Sequence, residues 1–133
     1  MSNKEIITNI PNKEEFFKLL QNNPGLILLK FGATWCGPCK AVDPVIKDYF
    51  EKTPDKVICC ILDIDDNFEL YGYMKKSRVT NGIPVILCYD ASNLTIMPTD
   101  SVTGSNRQLI YDFSARVSRR IEALYKNNID PPP

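Results

Sequence analysis

The stretch Trp35-Cys36-Gly37-Pro38-Cys39-Lys40 joins two segments of different periodicity. Before it, residues 26–31 (Leu-Ile-Leu-Leu-Lys-Phe) form an almost wholly apolar run, the pattern of a strand covered on both faces, with Lys30 as the exception. After it, Val42, Val45, Ile46, Tyr49 and Phe50 recur at helical spacing and predict a helix over about 36–50 with Pro44 inside it. Two cysteines at a strand-to-helix junction carry chemistry. A helix N-terminus offers amide donors without intrahelical partners and the positive end of a dipole, both of which favour a thiolate, and Cys36 is placed to feel them. Two intervening residues let the sulfurs meet across the first turn, so Cys39 can attack a mixed disulfide formed at Cys36 and release the reduced product. Gly37 permits the tight entry, and Pro38 brings no amide that the first turn would leave orphaned.

Outward from this junction, Val-Ile-Cys-Cys-Ile-Leu-Asp over 57–63 reads as a second buried strand. Strand, helix and strand then follow one another as a right-handed parallel crossover requires, and the class is α/β. Asn12 caps a helix over 13–21 with Glu15 completing a capping box, and Asn23-Pro24-Gly25 stops it. Asp65 or Asp66 caps a helix over about 68–77, and Ile83-Pro84 leads into a strand over 85–89. A hairpin turn at 90–93 leads to a short strand at 94–97, and 98–104 is a loop. Ser105 or Asn106 caps a long final helix whose apolar stripe runs from Leu109 to Tyr125, before a frayed Pro-rich tail over 127–133. The expectation is one domain over 1–133 with its core at about 6–126.

With 133 residues, 44% hydrophobic and 24% charged, the chain can bury one compact core. Sixteen basic side chains balance sixteen acidic ones, so no net field gathers nucleic acid or an anionic membrane. No apolar run approaches the roughly 18 residues that span a bilayer, and the N-terminus lacks the apolar core of a secretory signal. A soluble cytoplasmic protein is expected. Five cysteines in that setting argue against a structural disulfide framework. The absence of histidine removes the usual general base, the usual metal ligand and any Cys–His pair. Cys59 and Cys60, as adjacent strand residues, point to opposite faces and cannot both chelate, so no metal site is expected; with Cys88 they read as small core hydrophobes. Phe68, Tyr71 and Tyr73 read as helix packing.

The run Trp35-Cys36-Gly37-Pro38-Cys39-Lys40 resembles the active-site motif of the thioredoxin family letter for letter. Pro44 resembles that family's helix-kinking proline, Asp63-Ile64-Asp65 the end of its third strand, Gly82-Ile83-Pro84-Val85 its cis-proline segment, and Gly104 the glycine beside its substrate groove. The resemblance covers about 6–126. It implies a thioredoxin fold, a central mixed β-sheet flanked by helices on both faces. It also implies a protein-disulfide reductase whose only redox group is the Cys36–Cys39 disulfide, with no other cofactor. Disulfide-containing proteins would be its substrates and a thioredoxin-reductase-like protein its electron donor. By the same resemblance Ile83-Pro84 is cis and Ile83 pairs its backbone with the substrate; Trp35, a large aromatic beside the nucleophile in an exposed turn, reads as shielding it and contacting the partner rather than as packing alone.

The chain departs from the family at Lys30, where most members place a buried aspartate, and at Ile61, where they place the lysine that accompanies it. Lys30 is then either a strand-end lysine that reaches solvent or a group that tunes Cys39. In the second case it acts as an ammonium that favours a thiolate or as a neutral amine that accepts the thiol proton. A thiol oxidant or isomerase and a non-catalytic interaction module remain the alternatives to a reductase.

Overall fold

The computed structural model describes residues 4–129, with side chains described through 126. Among these residues the chain order is β1 (Ile6–Ile7), α1 (Lys13–Gln21), β2 (Leu26–Gly32), α2 (Gly37–Glu51), β3 (Val57–Asp63), α3 (Phe68–Lys76), β4 (Val85–Asp90), β5 (Asp100–Thr103) and α4 (Arg107–Ile129). The five strands form one sheet in the order β1-β3-β2-β4-β5. β3 pairs parallel to both β1 and β2, whereas β4 pairs antiparallel to β2 and β5. The sheet is therefore mixed.

The alternation of strand side chains divides the core into two layers. Ile27, Leu29 and Phe31 of β2 face one way, against Phe16 and Leu20 of α1 and Leu70 and Met74 of α3. Leu26 and Leu28 face the other, against Val42, Ile46 and Phe50 of α2 and Phe113 and Val117 of α4. Every residue of β2 is buried, which explains why its run is apolar but for Lys30. Lys30 shares the face of Leu26 and Leu28, and so points toward α2.

Helix starts follow from short polar side chains. The Asn12 side chain accepts the Glu15 N–H at 2.9 Å and the Asn106 side chain accepts the Leu109 N–H at 3.0 Å. The Glu15 carboxylate pairs with Lys18. Asn67 rather than an aspartate stands at the N-cap of α3, and its buried side chain instead accepts the Ile10 N–H and donates to the Asp63 carbonyl. Tyr71 packs edge-on against Phe31 and Tyr73 against Phe17, but Phe68 is exposed.

Two expectations are corrected. The strand expected at 94–97 lies instead at Asp100–Thr103, inside the expected loop. The earlier segment has its backbone groups taken by side chains: Asn93 accepts from the Thr95 N–H and donates to the Met97 carbonyl, and the Tyr89 hydroxyl donates to the Ile96 carbonyl. Asp100 is also fixed by a two-point pair with Arg116 of α4, which places its strand at the sheet edge. Residues 127–129, expected to belong to a frayed tail, are the end of α4, which continues to Ile129; the rest of that expected tail, 130–133, lies outside the described residues.

Candidate active site

Cys36 and Cys39 are joined as a disulfide with their Cα atoms 5.3 Å apart. Cys36 is the N-cap of α2, Pro38 fills the first turn, and the Cys39 N–H donates to the Cys36 sulfur at 3.1 Å. The first turn therefore points a backbone donor at the sulfur that would carry charge in the reduced state. Cys36 keeps 6% of its surface exposed and Cys39 none. Of the two cysteines, Cys36 is the one that meets the surface.

The surroundings come from four separate loops. Ala33, Ile64 and Ile83 pack against the two cysteines. The Ile83–Pro84 bond is cis, and the Gly104 N–H donates to the Pro84 carbonyl at 2.8 Å, which brings the loop after β5 beside the segment before β4. Gly104 has φ +96, the left-handed region in which a side chain is strained. Trp35 is 66% exposed, and its indole Nε1 donates to the Asp65 carboxylate at 2.8 Å. Asp65 thus orients Trp35 instead of capping α3. Asp63 accepts the backbone N–H groups of Thr34 and Asp65, tying the two loops together.

Lys30 does not reach solvent. The residue is 3% exposed, and its ammonium is hydrogen-bonded to the carboxylate of Asp43, a partner that the sequence reading missed. A β-carbon built on Gly32 would lie 2.6 Å from Lys30 Nζ and 3.5 Å from Cys39 Sγ. The amine and the second sulfur therefore both border that glycine. The available signal for Asp43 was its spacing: it follows Cys39 by four residues on α2 and shares its helical face.

The other three cysteines are free and buried. Burial pushes the Cys59 and Cys60 thiols up and raises that of Cys88 to about 12. They are poor nucleophiles near neutrality. Iodoacetamide at pH 8 should accordingly label Cys36 first and at most two thiols of the reduced folded protein, and five after denaturation, counted by intact mass. A third label on the folded protein would contradict this inertness. No group of three or more metal-ligating side chains occurs among the described residues, and no helix there is long and apolar enough to cross a membrane.

The family profile described as Thioredoxin matches residues 7–115. Thioredoxin of Bacillus subtilis (strain 168) is 36% identical over 52 residues, 39% of this chain and 50% of that protein. Thioredoxin-2 of Saccharomyces cerevisiae is 30% identical over 84 residues, 63% of this chain and 76% of that protein. The alignments span about half the length of several curated relatives. Among solved structures, the Trichomonas vaginalis thioredoxin superposes with a TM-score of 0.66 at 23% identity, covering 84% of this chain and 96% of that one. The Schistosoma mansoni thioredoxin gives 0.62 at 24%, covering 91% and 99%. These structural likenesses agree with the fold built from the strand order.

Proposed function

The chain belongs to the thioredoxin family, and from that premise we propose that it is a protein-disulfide reductase working through Cys36 and Cys39. The observation that carries this reading is the unequal exposure of two cysteines at one helix N-terminus. In the reduced protein the Cys36 thiolate attacks one sulfur of a substrate disulfide. A Cys36–substrate bond forms, the substrate S–S bond breaks, and the departing sulfur leaves with the electron pair and takes a proton from solvent. Cys39 then gives its proton to solvent and attacks Cys36. The mixed disulfide breaks, the second substrate sulfur leaves and is protonated, and Cys36 and Cys39 end oxidised. Two electrons have passed to the substrate, and a thioredoxin-reductase-like donor restores the dithiol. The cytoplasm is the compartment in which this direction of flow operates, and no metal or organic cofactor is required.

The substrate is held as a short extended segment. The Ile83 backbone precedes Pro84 beside the sulfurs, and a β-carbon on Gly37, Gly82 or Gly104 would meet nothing within 4 Å, so the backbone there is open to a second chain. Trp35, Gly37, Pro38, Ile83, Pro84 and Gly104 form this contact surface, and Lys30 tunes Cys39. Dithiothreitol-driven reduction of insulin tests the reading: turnover above the reductant alone supports it, and no acceleration removes it.

The lysine beside Cys39 gives specific support to a second reading, a thiol oxidant or isomerase, because a cation there stabilises the reduced form's thiolate. Equilibration with glutathione separates the two. A potential near about −270 mV marks a reductase and one near about −180 mV an isomerase-like protein.

A further inference from the structure

We propose that Asp43 is a positioning residue for the resolving thiol: it holds the Lys30 ammonium beside Cys39 and sets how much of that positive charge Cys39 feels. The inference rests on the redox reading of Cys36 and Cys39. The Lys30 side chain is 4% exposed and that of Asp43 is 46% exposed, so the pair runs from the dry floor beneath the second cysteine to water. A buried ammonium needs an acceptor for its protons, and its strand neighbours in register, Ile61 and Ile86, supply none from their side chains. Asp43 supplies it from α2, one turn beyond Cys39.

Lys40, Asp63 and Asp66 line the surface depression that reaches Lys30 and Asp43 from one side, and Lys47 lines the one on the other. Among the described residues these are the other charged groups that line those two depressions. None of them bonds to Lys30, whereas Asp43 does. In this chain the strand carries the cation and the helix carries the carboxylate, which meets solvent.

The two partners act on Cys39 with opposite sign. The ammonium favours the thiolate that attacks the mixed disulfide, and the carboxylate cancels part of that field. Asp43→Asn keeps a neutral oxygen to accept from Lys30, so the ammonium stays in place with less compensation. Lys30→Met removes the cation altogether.

The test titrates the Cys39 thiolate by ultraviolet absorbance in a Cys36→Ser background, where one active-site thiol remains. Lys30→Met should raise the midpoint by about one unit, a tenfold loss of thiolate below it, and Asp43→Asn should lower it by about half a unit. Asp43→Glu, which retains charge and acceptor, should restore the parent value. Asp43→Ser serves as a second neutral variant if Asp43→Asn does not fold. Shifts of the same sign in the Lys30 and Asp43 variants, or an Asp43 variant that titrates with its parent, would overturn the proposal. A wild type that fails to reduce insulin would remove the reductase reading and leave these titrations interpretable, so the two failures are distinct.

Discussion

Cys36→Ser should abolish insulin reduction, lowering turnover on the order of 10³-fold to the rate of the reductant alone, which corresponds to about 4 kcal/mol of barrier. A serine hydroxyl at this position cannot form the mixed disulfide, and nothing else can take its place. Cys39 has no exposed surface, and burial keeps Cys59, Cys60 and Cys88 protonated near neutrality. Thermal unfolding should be little changed from that of the reduced wild type, because a serine oxygen can still accept the Cys39 N–H as an N-cap. Residual turnover above a few per cent in a folded Cys36→Ser variant would mean that a second thiol reaches substrate.

Alkali should unfold the protein steeply above pH 9, and for a reason separate from its chemistry. Burial raises the Cys88 thiol from 9.0 to about 12 and pushes Cys60 up as well. Below pH 9 both thiols are protonated in the folded and the unfolded chain, so their contribution is fully present there. Above pH 9 the unfolded chain releases these protons while the folded chain holds them, and stability falls as pH rises toward the folded values. Cys88 costs about 1.4 kcal/mol per pH unit over this range, on the order of 3 kcal/mol by pH 11, and Cys60 acts in the same direction, a large share of the stability of a small domain. Tyr89, raised by burial too, acts in the same direction above its ordinary value of 10.0. Urea midpoints of the oxidised protein at pH 8 and pH 11, under argon, measure the effect. Cys60→Ala with Cys88→Ala should be less stable at pH 8 and show a flatter decline. Equal midpoints for the wild type at the two pH values would contradict the account.

The elements nearest the cysteines were the most legible in sequence. The apolar run around Leu28, the crossover to Cys59 and the Gly82-Ile83-Pro84 segment each have strong local signals; the first two occupy their expected places in the sheet, and the third leads into β4 as expected. The edge was less legible. Thr95, Ile96 and Met97 have the composition of a strand, yet Asn93 and Tyr89 satisfy the backbone of that segment, and the pairing passes to Asp100–Thr103, where Arg116 anchors it. Asp65 gave a correct general signal and an incorrect role, because its partner, the Trp35 indole, lies 30 residues away and no local pattern points to it. Lys30 was visible as an anomaly, but its meaning depended on Asp43. That contact joins a strand to a helix through tertiary packing, and neither residue alone shows it.

The central claim is that Cys36 attacks and Cys39 resolves, and capture of substrate tests it most directly. Reduced Cys39→Ser and reduced Cys36→Ser proteins, mixed with a disulfide-bonded substrate and quenched with acid, are compared by non-reducing electrophoresis and intact mass. Cys39→Ser should accumulate a stable covalent adduct through Cys36, because attack survives and the second displacement is lost. Cys36→Ser should accumulate none, since the remaining sulfur is covered. Adducts on Cys36→Ser and not on Cys39→Ser would reverse the two roles and contradict the account.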